Sequence, residues 1–260
     1  MLNIQSFLGT FHEKVLQGGR NNRFICVEFL QTMILDYLFY TPYYSKVVLI
    51  GGANLRIVQR IDRFTEDIDF DCKNLSSDEF VMMTDDIIDY LRNNGITVSI
   101  VKKEKPKLTA FQRVLAFPFL FNELNISANN QKPLILKIQA QDQNVNYLIE
   151  TKYVKRDRFA FYVQVPPLNV LCAMKCASII ARQKASDFYD LSFLLPKTEP
   201  DVAFLYERSG VKSMSELINS LLEILMQTNL EDKKRNVSRL LFYNSSLKQV
   251  DSISQIIQNL

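Results

Sequence analysis

The stretch that most limits what this chain can become runs from Val47 to Asp71, VVLIGGANLRIVQRIDRFTEDIDFD. Its apolar start, Val47 to Ile50, reads as a short buried strand. Gly51-Gly52 ends that strand and lets the backbone come close to something bulky. Asn54 to Ile61 has helix-like spacing, with Leu55, Val58 and Ile61 apolar. Asp67-Ile68-Asp69-Phe70-Asp71 then alternates strictly. Side chains on a strand point to opposite faces in turn, so the spacing predicts Asp67, Asp69 and Asp71 on one face and Ile68 and Phe70 on the other. Three carboxylates side by side repel one another unless a cation sits among them. Hard oxygen ligands on a rigid strand suit Mg²⁺, which keeps several waters and completes its shell with substrate phosphates. The Gly-Gly turn offers phosphates a backbone N–H surface.

Composition narrows the chemistry further. The chain has one histidine, His12, which excludes Ser-His-Asp, Cys-His and multi-histidine metal chemistry. The four cysteines, Cys26, Cys72, Cys172 and Cys176, do not read as a disulfide framework in a chain of 260 residues. Cys172 and Cys176 lie one helical turn apart, but no second pair or histidine accompanies them, so they read as buried free thiols rather than zinc ligands. With 47% hydrophobic and 23% charged residues the chain is expected to fold and dissolve. No signal peptide opens it and no apolar run approaches the roughly 20 residues of a membrane helix, so a cytoplasmic location is expected. The net charge of +3 permits a nucleic-acid partner without requiring one. Two basic runs, Lys102, Lys103, Lys105 and Lys107, then Lys152, Lys155, Arg156 and Arg158, read either as solvated loops or as an electrostatic footprint for RNA or nucleotide.

Taken in order, residues 1–17 suggest an amphipathic helix broken by Gly18-Gly19. Phe24 to Tyr40 is apolar all round and reads as a buried helix, stopped by Thr41-Pro42. Glu28 within it reads as structural or solvated. After the acidic strand, Ser77 is placed to cap a helix from Asp78 to Asn93, which Asn94-Gly95 ends. Ile96 to Val101 is β-rich, Leu108 to Leu124 reads as a strand pair, and Asn129-Asn130-Gln131 as a turn. Leu134 to Ala140 alternates as a strand with Lys137 and Gln139 on one face. Phe159 to Val165 is a further strand, closed by Pro166-Pro167. Helices are expected over Leu168–Lys184 and Ser186–Leu195, and the pattern stays helical from Asp201 onward. Lys175 and Arg182 are spaced to share one helix face, as are Asp187 and Asp190 on the next helix. The lysine reads as snorkelling, ion-paired, or held for a phosphate.

Gly51-Gly52, fourteen residues, then Asp67-x-Asp69 resembles the signature of the polymerase-beta-like nucleotidyltransferase superfamily. The fuller string, Gly-Gly-Ala-x-Leu-Arg with Arg-Phe-Thr-Glu-Asp-Ile-Asp-Phe at 63–70, resembles its AbiEii/AbiGii abortive-infection toxin branch. LCAMKCASIIARQKASDFYDLSFLL, Leu171 to Leu195, is similar to that branch's C-terminal motif of a helical lysine, an arginine and Asp-x-Tyr-Asp. The resemblance is strong over Val47–Phe70 and Leu171–Leu195 and weaker over Leu134–Gln139.

It implies an α+β fold: a nucleotidyltransferase-like mixed sheet flanked by helices over residues 1–165, then a helical C-terminal region over 166–260. It implies a bacterial enzyme that transfers a nucleotidyl group from an NTP, with Mg²⁺ or Mn²⁺, to tRNA or another cellular acceptor. Growth arrest would follow, and a cognate antitoxin would neutralise it. Asp67, Asp69, Lys175, Asp187 and Asp190 would be catalytic. Gly51, Gly52, Arg56, Lys137 and Arg182 would hold the NTP, and Asp67, Asp69 and Asp71 the metal. Asp187 and Asp190 would orient Lys175 or contact the nucleotide.

Two departures stand out. Ser186 replaces the arginine usual before the first aspartate of the second motif. Gln139 stands in the slot of the third carboxylate, and an amide cannot accept the acceptor's proton. Asp71, with Asp142 and Glu150 as weaker candidates, is the alternative base. These departures keep open a nucleotide-binding protein with weak or lost transfer. A transferase acting on a small hydroxylated molecule is a further alternative.

Overall fold

The computed structural model describes residues 4–101, 111–126 and 132–260. The first basic run, Lys102 to Lys107, and the Asn129-Asn130-Gln131 turn lie outside them. Two compact units divide the chain. The first comprises Met1–Arg60, Phe64–Asp142 and Thr151–Val165; the second comprises Ile61–Arg63, Gln143–Glu150 and Pro166–Leu260.

A five-stranded mixed sheet organises the first unit. Its strands are β1 (Val47–Ile50), β2 (Asp67–Cys72), β3 (Ser99–Ile100), β4 (Phe111–Phe117) and β5 (Leu134–Gln141), in the order β1-β2-β5-β4-β3. β2 and β5 are parallel and the other pairs antiparallel. The alternation of β2 does what the spacing predicted. Ile68 and Phe70 are buried, while Asp67 and Asp69 on the opposite face are half-buried. β5 repeats the pattern, with Leu134, Leu136, Ile138 and Ala140 buried and Lys137, Gln139 and Gln141 half-buried. The parallel register sets Asp67 beside Lys137, Asp69 beside Gln139 and Asp71 beside Gln141.

The helix α1 (Asn22–Phe39) is buried along most of its length, as an all-round apolar segment must be. It packs on β5, on a second helix α2 (Ser77–Asn93) and on a two-stranded sheet, β6 (Glu150–Arg156) with β7 (Phe159–Val165). α2 buries Phe80, Met83, Ile87, Ile88 and Leu91 along one face. Its cap is Ser76 rather than Ser77. The Ser76 hydroxyl accepts from the Glu79 N–H, and the Glu79 carboxylate accepts from the Ser76 N–H at 2.9 Å. This reciprocal box needs a Glu three residues after the cap, which only Ser76 has.

Other expectations shift for local reasons. The strand pair over Leu108–Leu124 is, where described, one strand followed by a short helix, Leu120–Glu123, because Pro118 cannot donate to a continuing ladder. The Asn54–Ile61 helix begins earlier, at Gly51–Ala53, and passes into a π turn over Asn54–Val58. The N-terminal helix is two short ones, Gln5–Leu8 and Glu13–Leu16, the second capped by His12. The second basic run is not a loop: Lys152, Lys155 and Arg156 lie on β6, with Arg156 buried.

The described elements of the second unit are helical. α3 (Leu168–Arg182) ends at Gln183 in the left-handed conformation, φ +50°. α4 (Ala185–Leu194), α5 (Val202–Ser209), α6 (Met214–Gln227) and α7 (Leu230–Ser238) follow, and short helices lead to Gln258. Asp201, Ser213 and Asn229 cap α5, α6 and α7 through their side-chain oxygens. Ile61–Arg63 joins this unit: Arg63 bridges to Leu241, and the Phe242 N–H donates to the Asp62 carbonyl at 3.1 Å. Among the described residues no helix is long and apolar enough to cross a membrane.

Candidate active site

The first cluster grows from the turn that ends β1. Gly51 has φ +67°, and a Cβ added to it would sit 2.8 Å from Asp69 Oδ2 and 3.2 Å from Asp69 Cβ. Both the backbone conformation and the closeness of Asp69 therefore demand glycine here. Gly52 is buried beside it. Asn54 follows, fully buried, and its amide donates to the Leu49 carbonyl at 2.7 Å, tying the turn back onto β1. On β2, Asp67 accepts from the Lys137 ammonium at 3.0 Å. Asp69 lies between Ile50 of β1 and Gln139 of β5, so Gln139 occupies the neighbouring-strand position next to the carboxylate pair.

Asp71 has a different setting. It shares the face of Asp67 and Asp69 but is fully buried, with Lys73 Nζ at 3.3 Å, and Lys73 also reaches Asp142 at 3.3 Å. Among the described residues no three His, Cys, Asp or Glu side chains converge as a metal cluster. The donors that fit a divalent cation are the two half-buried carboxylates, Asp67 and Asp69. A hard cation held by two carboxylates leaves most of its shell to water and phosphate oxygens, the usual arrangement for Mg²⁺.

One residue of this region carried no motif. Gln31 on α1 is buried, and its amide donates to the carbonyls of Thr65 at 3.3 Å and Asp67 at 3.1 Å. It anchors the backbone that leads into β2. The only signal in the sequence is a glutamine inside an otherwise apolar helix.

Arg56, expected at phosphate, pairs with a buried carboxylate. Its Nε lies 3.0 and 3.1 Å from the two carboxylate oxygens of Glu28, and both residues are buried. Arg156 Nη1 pairs with the same Glu28 carboxylate. Glu28 is thus structural but not solvated. Burial pushes the Arg156 guanidinium down to about 10, against the pull of Glu28 and with added repulsion from Arg56 and Arg60.

The second unit holds the second motif as an ion cluster. Lys175 Nζ lies 3.2 Å from Asp187 and 2.7 Å from Asp190. Arg182 forks onto Asp187, at 3.1 and 3.2 Å, and Arg63 onto Asp190, at 2.5 and 2.7 Å. Both aspartates are fully buried, while the Arg182 side chain is 55% exposed. Burial alone would lower the Lys175 ammonium, but Asp190 and Asp187 outweigh it and raise its pKa. Burial alone would raise the Asp187 carboxyl, but Lys175 and Arg182 hold it below its usual range. Lys175, Arg182, Asp187 and Asp190 meet in mutual ion pairing, with Arg63 as a fifth member.

A family model described as nucleotidyl transferase AbiEii toxin, Type IV TA system, matches residues 34–235. Among solved structures the fold is similar to MenT4, a nucleotidyltransferase toxin from Mycobacterium tuberculosis H37Rv. Identity to it is 14% and the TM-score 0.66, over 95% of this chain and 88% of that one. It is also similar to JHP933 from Helicobacter pylori, at 17% identity and TM-score 0.51, over 94% of each chain. No curated protein matches the sequence.

Proposed function

The chain belongs to the AbiEii nucleotidyltransferase toxin family, and from that premise we propose that it transfers a nucleotidyl group from an NTP to an RNA acceptor, tRNA first among them, as the toxin of a toxin–antitoxin pair. The observation that carries this reading is the pair Asp67 and Asp69 on one half-buried strand face, with Lys137 beside Asp67 and the Gly51 backbone against Asp69. In the transfer, an acceptor hydroxyl gives its proton to solvent as its oxygen bonds to the α-phosphorus, and the bond to the pyrophosphate oxygen breaks, so pyrophosphate leaves. Mg²⁺ on Asp67 and Asp69 would neutralise phosphate charge and orient the triphosphate. Lys137 supplies a cation at the same face, and the missing side chain of Gly51 lets the turn pack directly against Asp69. In the second unit, Asp187 and Asp190 keep Lys175 charged and fixed. Arg56, held by Glu28, contributes charge from within the fold rather than a direct contact.

A second reading, a nucleotide-binding protein with weak or lost transfer, is favoured by Gln139 in register with Asp69. An amide there cannot take the acceptor's proton. The deciding experiment incubates purified protein with each labelled NTP and total bacterial RNA, with Mg²⁺ or EDTA, beside Asp69→Asn. Label in RNA that requires both metal and Asp69 supports transfer. Metal-dependent NTP binding with no label in any RNA fraction favours the second reading. Asp69→Asn keeps the shape while relieving carboxylate repulsion, so its melting temperature should match or exceed that of the parent; unfolding of this variant would make the acidic pair structural.

A further inference from the structure

The Glu28 cluster of the first unit holds more positive charge than its motif accounts for. One buried carboxylate, Glu28, faces the guanidinium groups of Arg56 and Arg156. Arg156 also lies over the rings of Phe7 and Phe11, at 4.8 and 4.5 Å, and Arg56 over Phe11 at 5.9 Å. A third guanidinium, that of Arg60, is close enough for both Arg56 and Glu28 to act on it electrostatically. Arg60 itself is exposed, and its Nη2 donates to the Lys155 carbonyl at 3.3 Å. Among the described residues no carboxylate pairs with Arg60. Among the described residues, Arg56 and Arg156 thus pair with Glu28, and Arg60 lies beside them through its bond to the Lys155 carbonyl.

The backbone adds an independent observation. Arg60 has φ +63°, the left-handed conformation that follows the end of a helix and that glycine or asparagine adopts most easily. It comes two residues after a π turn, an element that recurs at functional sites. An arginine stands where glycine would be relaxed, and strained positions of this kind recur at ligand sites. A planar guanidinium that makes no ion pair with a carboxylate among the described residues, beside two buried cations, suits a phosphate.

We propose that Arg60, backed by Arg56 and Arg156, is a phosphate-binding site of the first unit. The inference deepens the nucleotidyl-transfer reading and rests on it for the carrier of the phosphate, which is either the nucleotide or the backbone of an RNA acceptor.

The test is calorimetric titration of the full chain in EDTA, with sodium triphosphate as the nucleotide arm and a short single-stranded RNA as the acceptor arm. Arg60→Gly removes the charge and relaxes the backbone, so it should raise the melting temperature without ligand by about 2–4 °C. It should also weaken binding in one arm by about 10- to 100-fold, the loss of a charge-assisted phosphate contact. Arg60→Lys should recover part of that affinity. The arm that weakens identifies the carrier. Equal affinity of Arg60→Gly and the parent in both arms, or a parent that binds neither probe, overturns the site and leaves Arg60 a helix terminator. Because the titrations need neither metal nor turnover, a failure of nucleotidyl transfer would not mimic a failure of this site.

Discussion

Gly51→Ala tests whether the β1 turn was shaped by Asp69 or merely bends. Two costs add. The left-handed φ of +67° costs an alanine about 1 kcal/mol. The new Cβ meets Asp69 Oδ2 at 2.8 Å and Asp69 Cβ at 3.2 Å, so the carboxylate must leave its rotamer, for about another 1 kcal/mol. Together, about 2 kcal/mol corresponds to a fall in melting temperature of about 4–8 °C for a chain of this size. In an Asp69→Ala background the contact at 2.8 Å disappears and only that with Cβ at 3.2 Å remains, so Gly51→Ala should cost less than in the parent, close to the backbone share of about 2–4 °C. The difference between the two backgrounds is a double-mutant coupling, read by differential scanning calorimetry. With the carboxylate displaced, the thermal shift given by Mg²⁺ plus NTP should shrink as well. Equal costs in both backgrounds, with the ligand shift intact, would show that Gly51 serves the turn alone and that its closeness to Asp69 has no consequence.

Other expectations follow from the same geometry. With two carboxylates to hold a cation, Mg²⁺ plus NTP should raise the melting temperature by more than the sum of either alone, and an NTP shift unchanged by EDTA would refute shared coordination. Gln139→Glu places a proton acceptor beside Asp69 and should increase the rate of label transfer, by about 10-fold or more if the missing base limits turnover; an unchanged rate would mean that proton removal is not limiting. Lys175→Met leaves Asp187 and Asp190 buried with Arg182 and Arg63 alone, and should destabilise by about 3 kcal/mol in thermal or urea unfolding. The Asp187 carboxyl is depressed in the folded state, so its contribution is present above its ordinary 3.8 and is lost as pH falls through the lower folded value. Lys175 is raised above 10.5, so its contribution is present below that pH and is lost as pH rises through the folded value. Acid unfolding of Lys175→Met should therefore begin at a higher pH than that of the parent, and coincident acid limbs would count against the cluster.

Much of the site is readable along the chain because its signals are short-ranged. The alternation of Asp67 to Asp71 puts two acids on a half-buried face through the two-residue pleat of a strand, and no distant contact is needed to say so. The shared faces of Lys175 with Arg182, and of Asp187 with Asp190, follow equally from local geometry, whereas the closeness of Asp69 to Gly51 comes from the pairing of β1 with β2. What periodicity cannot supply is the partner of each charge. Glu28 pairs with Arg156 across 128 residues, and Asp190 with Arg63 across 127. Gln31 holds Thr65 and Asp67 from a helix 34 and 36 residues upstream. A buried charge takes whichever opposite charge is desolvated beside it, because leaving it unpaired costs more than any local preference repays. Which surfaces lose their water together is set by the packing of the elements. Hence Asp71 is buried while Asp69 two residues earlier is half-buried, and Arg56, expected at phosphate from the sequence, pairs with Glu28.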